Sequence, residues 1–146
     1  MIKLLVTDCD GVLTDGKIPR RFSIFDGDIP EGIKVIILTA AKEISDIKKR
    51  ADSLGLQVIQ VTSAGGKYEE LHNICKENEL SILEAAYIGD DLADVECLRY
   101  AGFSMAPRDA RRSARKAAGK VLRTNGGDGV LREAFKIIKR RSRRCE

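Results

Sequence analysis

Asp8 and Asp10 stand either side of Cys9, directly after the apolar run Ile2-Lys3-Leu4-Leu5-Val6-Thr7 and directly before Gly11. The run reads as a buried strand, so it delivers both carboxylates to its carboxyl end, where open parallel sheets bind their ligands. Two like charges about 4 Å apart repel by roughly 1 to 4 kcal/mol, depending on the effective dielectric, so the pair needs a cation or a shared proton. A hard, oxygen-rich site of this kind suits magnesium, which usually keeps several waters and takes one or two carboxylates plus substrate phosphate. A plain structural alternative is a turn at Asp10-Gly11 that Asp8 caps.

Further polar side chains fall at matching positions. Thr39 ends the run Lys34-Val35-Ile36-Ile37-Leu38, Lys67 follows Gly65-Gly66 at the start of a helical pattern, and Asp90 with Asp91 follows Gly89 after Ala85-Ala86-Tyr87-Ile88. Taken singly, these are a strand-end threonine, a surface lysine and a helix cap. Together they supply a carboxylate nucleophile, an acid/base carboxylate, a hydroxyl, an ammonium and a further metal carboxylate. That is the set expected for phosphoryl transfer through an aspartyl phosphate.

Such side chains meet only if the chain is wound suitably. Ile44, Ile47, Ala51 and Leu54 recur at helical spacing until Gly55, and Gln57 to Val61 reads as a strand. Tyr68, Leu71, Ile74 and Cys75 form one helix face, and Leu92, Val95, Leu98 and Ala101 form another. Strand is expected at Gly102 to Met105, helix at Ala110 to Ala118, a short strand at Lys120 to Leu122, and a closing amphipathic helix on Val130, Leu131, Ala134, Phe135 and Ile138. Strand alternating with helix implies a parallel sheet covered on both faces, with right-handed crossovers.

The 146 residues fit one domain, long enough to bury roughly two-thirds of the unfolded chain's surface. With 43% hydrophobic and 33% charged residues, no apolar stretch nears the roughly 20 residues that cross a bilayer. No basic region followed by an apolar segment and a cleavage site opens the chain, so a cytoplasmic protein is expected. Cys9, Cys75, Cys97 and Cys145 show no CxxC pairing and His72 has no evident zinc partner, so neither a zinc site nor a disulfide framework is expected. Cys9 reads as strand-end filler. The net charge of +4 concentrates in Arg111-Arg112, Arg115-Lys116 and the tail Lys139-Arg140-Arg141-Ser142-Arg143-Arg144. Aromatic residues are too sparse for a base-stacking surface, so these runs read as solvated helix faces rather than a nucleic-acid site.

The segments Asp8-Cys9-Asp10-Gly11-Val12-Leu13-Thr14-Asp15-Gly16, Ile37-Leu38-Thr39, Gly66-Lys67, Tyr87-Ile88-Gly89-Asp90-Asp91-Leu92-Ala93-Asp94 and Gly126-Gly127-Asp128-Gly129-Val130-Leu131-Arg132-Glu133 resemble the motifs of the haloacid dehalogenase superfamily. Within it they are similar to the small cap-less phosphatases of 3-deoxy-manno-octulosonate 8-phosphate and nonulosonate 9-phosphate. The likeness spans the chain apart from the stretch between Gly16 and Gly32. It implies an α/β, Rossmann-like three-layer sandwich with a central parallel sheet and no large cap domain. It further implies a magnesium-dependent phosphatase acting on a small phosphorylated sugar acid. On that resemblance, Asp8 is the nucleophile and Asp10 the acid that protonates the leaving alkoxide and then activates water. Magnesium is held by Asp8, the Asp10 backbone carbonyl and Asp90, and phosphate by Thr39, the Ala40 N–H and Lys67. Asp91 orients Lys67 or a metal-bound water, and Asp94 can simply face solvent.

This chain departs from the pattern in two places. Ala40-Ala41 stands where relatives usually carry glycine and then a charged residue that approaches the substrate. The flap, about residues 16–29, is shortened to a hairpin over Lys17 to Phe25, and the connection to Lys34 is too short to carry the usual crossover helix. An uncovered patch of sheet is then expected, closed by a neighbouring subunit in a homo-oligomer, with a tetramer favoured. The residues 139–146 are read as a basic tail. A second reading is a non-catalytic oligomerisation module like the phosphatase-like domain of some sialic-acid cytidylyltransferases.

Overall fold

Six strands, all parallel, form one sheet in the order β3-β2-β1-β4-β5-β6. The computed structural model describes residues 1–24, 29–62 and 66–144. The strands are β1 (Leu4–Thr7), β2 (Lys34–Thr39), β3 (Gln57–Gln60), β4 (Ala85–Ile88), β5 (Phe103–Ala106) and β6 (Lys120–Val121). The helices are α1 (Ser45–Ser53), α2 (Gly66–Glu77), α3 (Val95–Tyr100), α4 (Arg112–Ala117) and α5 (Val130–Arg144). Single 3₁₀ turns precede β4 at Ile82–Glu84 and α3 at Leu92–Asp94.

The central strands β1, β2 and β4 carry continuous apolar residues because both of their faces are covered. One face buries Leu5, Val35, Ile37 and Ile88 against Ile47 and Ala51 of α1 and Leu131, Phe135 and Ile138 of α5. The other buries Val6, Ile36, Leu38 and Tyr87 against Leu71 and Ile74 of α2, Leu98 of α3 and Ala114 of α4. Three layers result, as the alternation of strand and helix implies. In register, Val6 of β1 lies between Ile36 of β2 and Tyr87 of β4. The chain winds outward from β1 to β3, then crosses over to β4 and winds the other way. This puts the topological switch point, the natural ligand crevice of such a sheet, beside the end of β1.

The connection from β1 to β2 differs from expectation. Among its described residues there is neither helix nor strand, so the expected hairpin is replaced by an irregular strap; Phe25, at the hairpin's far end, lies outside the described residues. The strap is tied down by side chains. Ser23 N and Oγ both donate to Leu13 O, at 2.8 and 3.1 Å, and Arg50 Nη2 of α1 donates to Ile24 O at 2.6 Å. Val12, Leu13 and Ile24 are buried in the core and Phe22, Ile29 and Ile33 pack against it. The connection itself therefore does part of the missing helix's work, and Val35 and Ile37 are covered within one chain. What stays open is a groove of about 430 Å³ lined by Ile29, Ile33, Val35, Leu54 and Leu56.

Two smaller readings also change. The basic segment 139–144 continues α5 rather than forming a tail, with Arg141, Arg143 and Arg144 in the last turn, where positive charge complements the helix dipole. The segment Leu92–Ala101 opens as a 3₁₀ turn before α3 begins, because Asp91 caps Leu92 N at 2.6 Å.

Candidate active site

The β1 strand ends by donating Asp8 N to Ile88 O of β4 at 2.9 Å, and the chain then leaves the sheet through Cys9 to Gly16. Gly11 takes φ +84°, a left-handed conformation that side chains resist. A Cβ there would also overlap the Asp90 carboxylate, so the glycine lets the β1 and β4 loops close on each other. On the opposite side of this loop, Gly127 N donates to Val12 O at 3.0 Å, and a Cβ on Gly126 would overlap the Gly11 carbonyl oxygen. Glu133 of α5 fixes that glycine turn by accepting from Arg123 N, Thr124 N and Thr124 Oγ1, and these bonds hold its pKa below the ordinary carboxylate value despite the opposing effect of burial.

Asp8, Asp10, Thr39, Ala40, Lys67, Asp90 and Asp91 all line one open cleft of about 410 Å³. Lys67, in the first turn of α2, is buried and donates to Asp8 Oδ1 at 2.8 Å and to Asp94 Oδ1 at 2.9 Å. Thr39 is buried at the end of β2, with its Oγ1 accepting from Ala41 N at 3.1 Å. Asp90 Oδ1 is buried and has no hydrogen-bond partner among the described residues.

Lys67 is oriented by Asp94, which corrects the expectation that Asp94 can simply face solvent, while Asp91 pairs elsewhere among the described residues. Asp94 is fully buried, accepting from Lys67, from Tyr87 Oη at 2.6 Å and from the N–H groups of Asp90 and Asp91 at 3.0 and 3.2 Å. Asp91 is exposed, caps the 3₁₀ turn and pairs with Arg111 at 3.0 Å. The sequence did hold a signal for Asp94: an acid three residues after a capping Asp forms a reciprocal cap that points inward. Arg20 escaped sequence reasoning altogether. Its guanidinium clasps Asp10, with Nε 2.8 Å from Oδ1 and Nη2 3.0 Å from Oδ2.

Burial pushes the Asp8 carboxyl well above its ordinary range; Lys67 opposes the rise and the Asp94 charge adds to it. Burial also raises Asp90, opposed by its interaction with Asp8 and by Lys67 and aided by the Asp94 and Asp91 charges. For Lys67 burial favours the neutral amine, but the Asp8 and Asp94 carboxylates outweigh it, so its pKa rises and the ammonium persists. Tyr87, pushed far up by burial and then by Asp94, remains a phenol and a donor. Cys9 is fully buried, and burial raises its thiol, so it is strand-end filler rather than a nucleophile.

A divalent cation fits the residues present. Carboxylate oxygens of Asp8, Asp90 and Asp94 lie within 4.8 Å of one another, yet Asp94 already has its partners, whereas Asp90 Oδ1 has none among the described residues. Asp8 and Asp90 are thus the carboxylates with capacity left, a hard donor pair that suits magnesium chemistry. Among the described residues, six carboxylates line the cleft against the single ammonium of Lys67, an imbalance that a phosphate ester cannot meet without an added cation.

Fold and cleft together define a Rossmann-like α/β protein with an acidic, cation-seeking crevice at its switch point. The chain belongs to the haloacid dehalogenase-like hydrolases, whose family model matches residues 31–133. It is 30% identical to the 3-deoxy-D-manno-octulosonate 8-phosphate phosphatase of Haemophilus influenzae, over 94% of this chain and 82% of that protein. It is also 30% identical to the N-acylneuraminate cytidylyltransferase of Oncorhynchus mykiss, over 91% of this chain but 34% of that protein. Among solved structures, it is similar to the 3-deoxy-D-manno-octulosonate 8-phosphate phosphatase of Moraxella catarrhalis in complex with magnesium ion, phosphate ion and a KDO molecule. That likeness has a TM-score of 0.84 at 28% identity and covers 95% of this chain and 86% of that one.

Proposed function

We propose that this chain is a magnesium-dependent phosphatase that hydrolyses a small phosphate monoester, of the phosphorylated ulosonic acid class, through a phosphorylated Asp8. The observation that carries this reading is the buried contact of Lys67 Nζ with Asp8 Oδ1 beside the unpartnered Oδ1 of Asp90. It joins an ammonium, a nucleophile and a ligand atom with capacity to spare at one point, and a phosphoryl group needs all three.

Asp8 attacks phosphorus as the bond to the leaving oxygen breaks, and Asp10 gives that oxygen a proton. Asp10 then takes a proton from the water that attacks the same phosphorus, and the bond from Asp8 to phosphorus breaks to release inorganic phosphate. Acid/base assistance of this type is worth about 10² to 10⁴ in rate. The Thr39 hydroxyl, the Ala40 N–H and the Lys67 ammonium meet the non-bridging oxygens, where transition-state charge accumulates. Asp8, Asp90 and the Asp10 carbonyl oxygen would hold the cation, which would supply charge neutralisation at the phosphoryl group. Ala41 brings no charge to the cleft rim, and a neighbouring copy is the proposed source of the charge that meets the carboxylate of an ulosonic acid. We infer a cytoplasmic homo-oligomer, a tetramer by family likeness, supported by the apolar groove at Ile29, Ile33 and Leu54 and by exposed Ile18 on the strap.

The likeness to a cytidylyltransferase, together with Ala40-Ala41, favours a second reading, a non-catalytic oligomerisation module. Phosphate release from a panel of sugar phosphates, with and without magnesium, separates the two. The phosphatase reading expects magnesium-dependent release that Asp8→Asn abolishes; identical traces from wild type and variant support the module.

A further inference from the structure

Arg20 reaches Asp10 from outside the cleft. Its side chain is only 7% exposed, and it is absent from the cleft wall to which Asp10 itself contributes. Nε and Nη2 take one oxygen each of the Asp10 carboxylate, at 2.8 and 3.0 Å, a two-pronged match that fixes the carboxylate plane. The remaining nitrogen, Nη1, is anchored at the start of α1, on Asp46 Oδ1 at 2.8 Å and on the Glu43 carbonyl oxygen at 3.0 Å. Thr14 Oγ1 adds a second donor to Asp10 Oδ1 at 3.2 Å. A carboxylate oxygen offers about two lone-pair sites. By that count Oδ1 is full, and Oδ2, with Arg20 Nη2 as its partner among the described residues, keeps one site open.

We propose that Arg20 is the positioning residue for Asp10, and that together with Thr14 it selects Oδ2 as the oxygen through which protons pass to the leaving group and from water. The proposal rests on the phosphatase reading above and deepens it. The strap that replaces the usual flap thus takes part in the chemistry. It carries the clamp that aims the acid/base, and Asp46 ties the clamp to the helix that packs under β2.

Leaving-group dependence tests this, because an alkoxide needs a proton to depart and 4-nitrophenolate does not. In magnesium-loaded enzyme, kcat/KM is measured for a sugar phosphate and for 4-nitrophenyl phosphate with wild type, Arg20→Lys and Asp46→Asn. Arg20→Lys keeps the charge but not the fork, and we expect it to lower kcat/KM for the sugar phosphate by about 10², within the range of acid/base assistance, and for the aryl ester several-fold at most. Asp46→Asn, at a half-exposed carboxylate, should show the same bias at smaller size. Equal losses on both esters, or none on either, would overturn the positioning role. A wild-type enzyme inactive on both would instead remove the phosphatase reading and this proposal with it.

Discussion

Lys67 is held between two carboxylates with different duties, Asp8 in the cleft and Asp94 behind it. Removing one member of a buried ion pair typically costs about 3 to 5 kcal/mol, because its partner is left uncompensated. Asp94→Ala is therefore expected to lower stability by that order in denaturant titration and to abolish phosphate release. Asp91→Ala, which removes a cap and an exposed ion pair, should cost about 0.5 to 2 kcal/mol, less than Asp94→Ala. The raised Asp8 and Asp90 have a pH consequence. Without metal, the folded state keeps their protons above 3.8, where the unfolded chain has lost them. Their stabilisation is thus complete below 3.8 and falls as pH climbs through the raised folded values. A bound cation takes over from those protons, so the gain in thermal midpoint on adding magnesium should widen as pH rises. At a concentration 100 times its dissociation constant, magnesium adds about 2.7 kcal/mol. A gain that stays flat with pH would mean that these carboxylates do not hold it. At this scale residue types were legible and partners were not: Asp8, Thr39, Lys67 and Asp90 announce themselves at strand and helix ends. Arg20 sits in a segment without periodicity, and nothing in its neighbours points at Asp10.

Elements were legible wherever both faces are buried. The continuous apolar runs at β1, β2 and β4 read as strands covered on both sides, and the helical stripe on α5 marks the face that it turns to the core. The strap after Gly16 has no such pattern, and hydrogen bonds to Ser23 and Ile24 decide its path. The glycine turn before α5 illustrates a second kind of information, closeness of backbones. Gly126→Ala would press a methyl into the Gly11 carbonyl and push the Asp10 loop away from Asp90. We expect a folded protein with unchanged far-ultraviolet circular dichroism and at least tenfold lower phosphatase activity. Full activity would show that the loop keeps its place without this contact.

Across the whole molecule, charge is sorted by location. The cations Lys120, Arg123, Lys136, Arg140, Arg141 and Arg144 line a groove of about 660 Å³ along α5, with Arg141 stacked 4.0 Å from the Phe103 ring. The cleft, by contrast, is lined among the described residues by six carboxylates and the one ammonium of Lys67, so a net charge of +4 does not make the cleft attractive to anions. Calorimetric titration with inorganic phosphate should accordingly show binding in magnesium and none after chelation. Light scattering tests the association of copies: an active monomer at working concentration would mean that the groove at Ile29 and Leu54 stays open to water. Because Gly126 sits just ahead of α5, whose Leu131, Phe135 and Ile138 cover one face of the sheet, a chain cut short before that residue is expected to lose the cover of the core and the support of the Asp10 loop together.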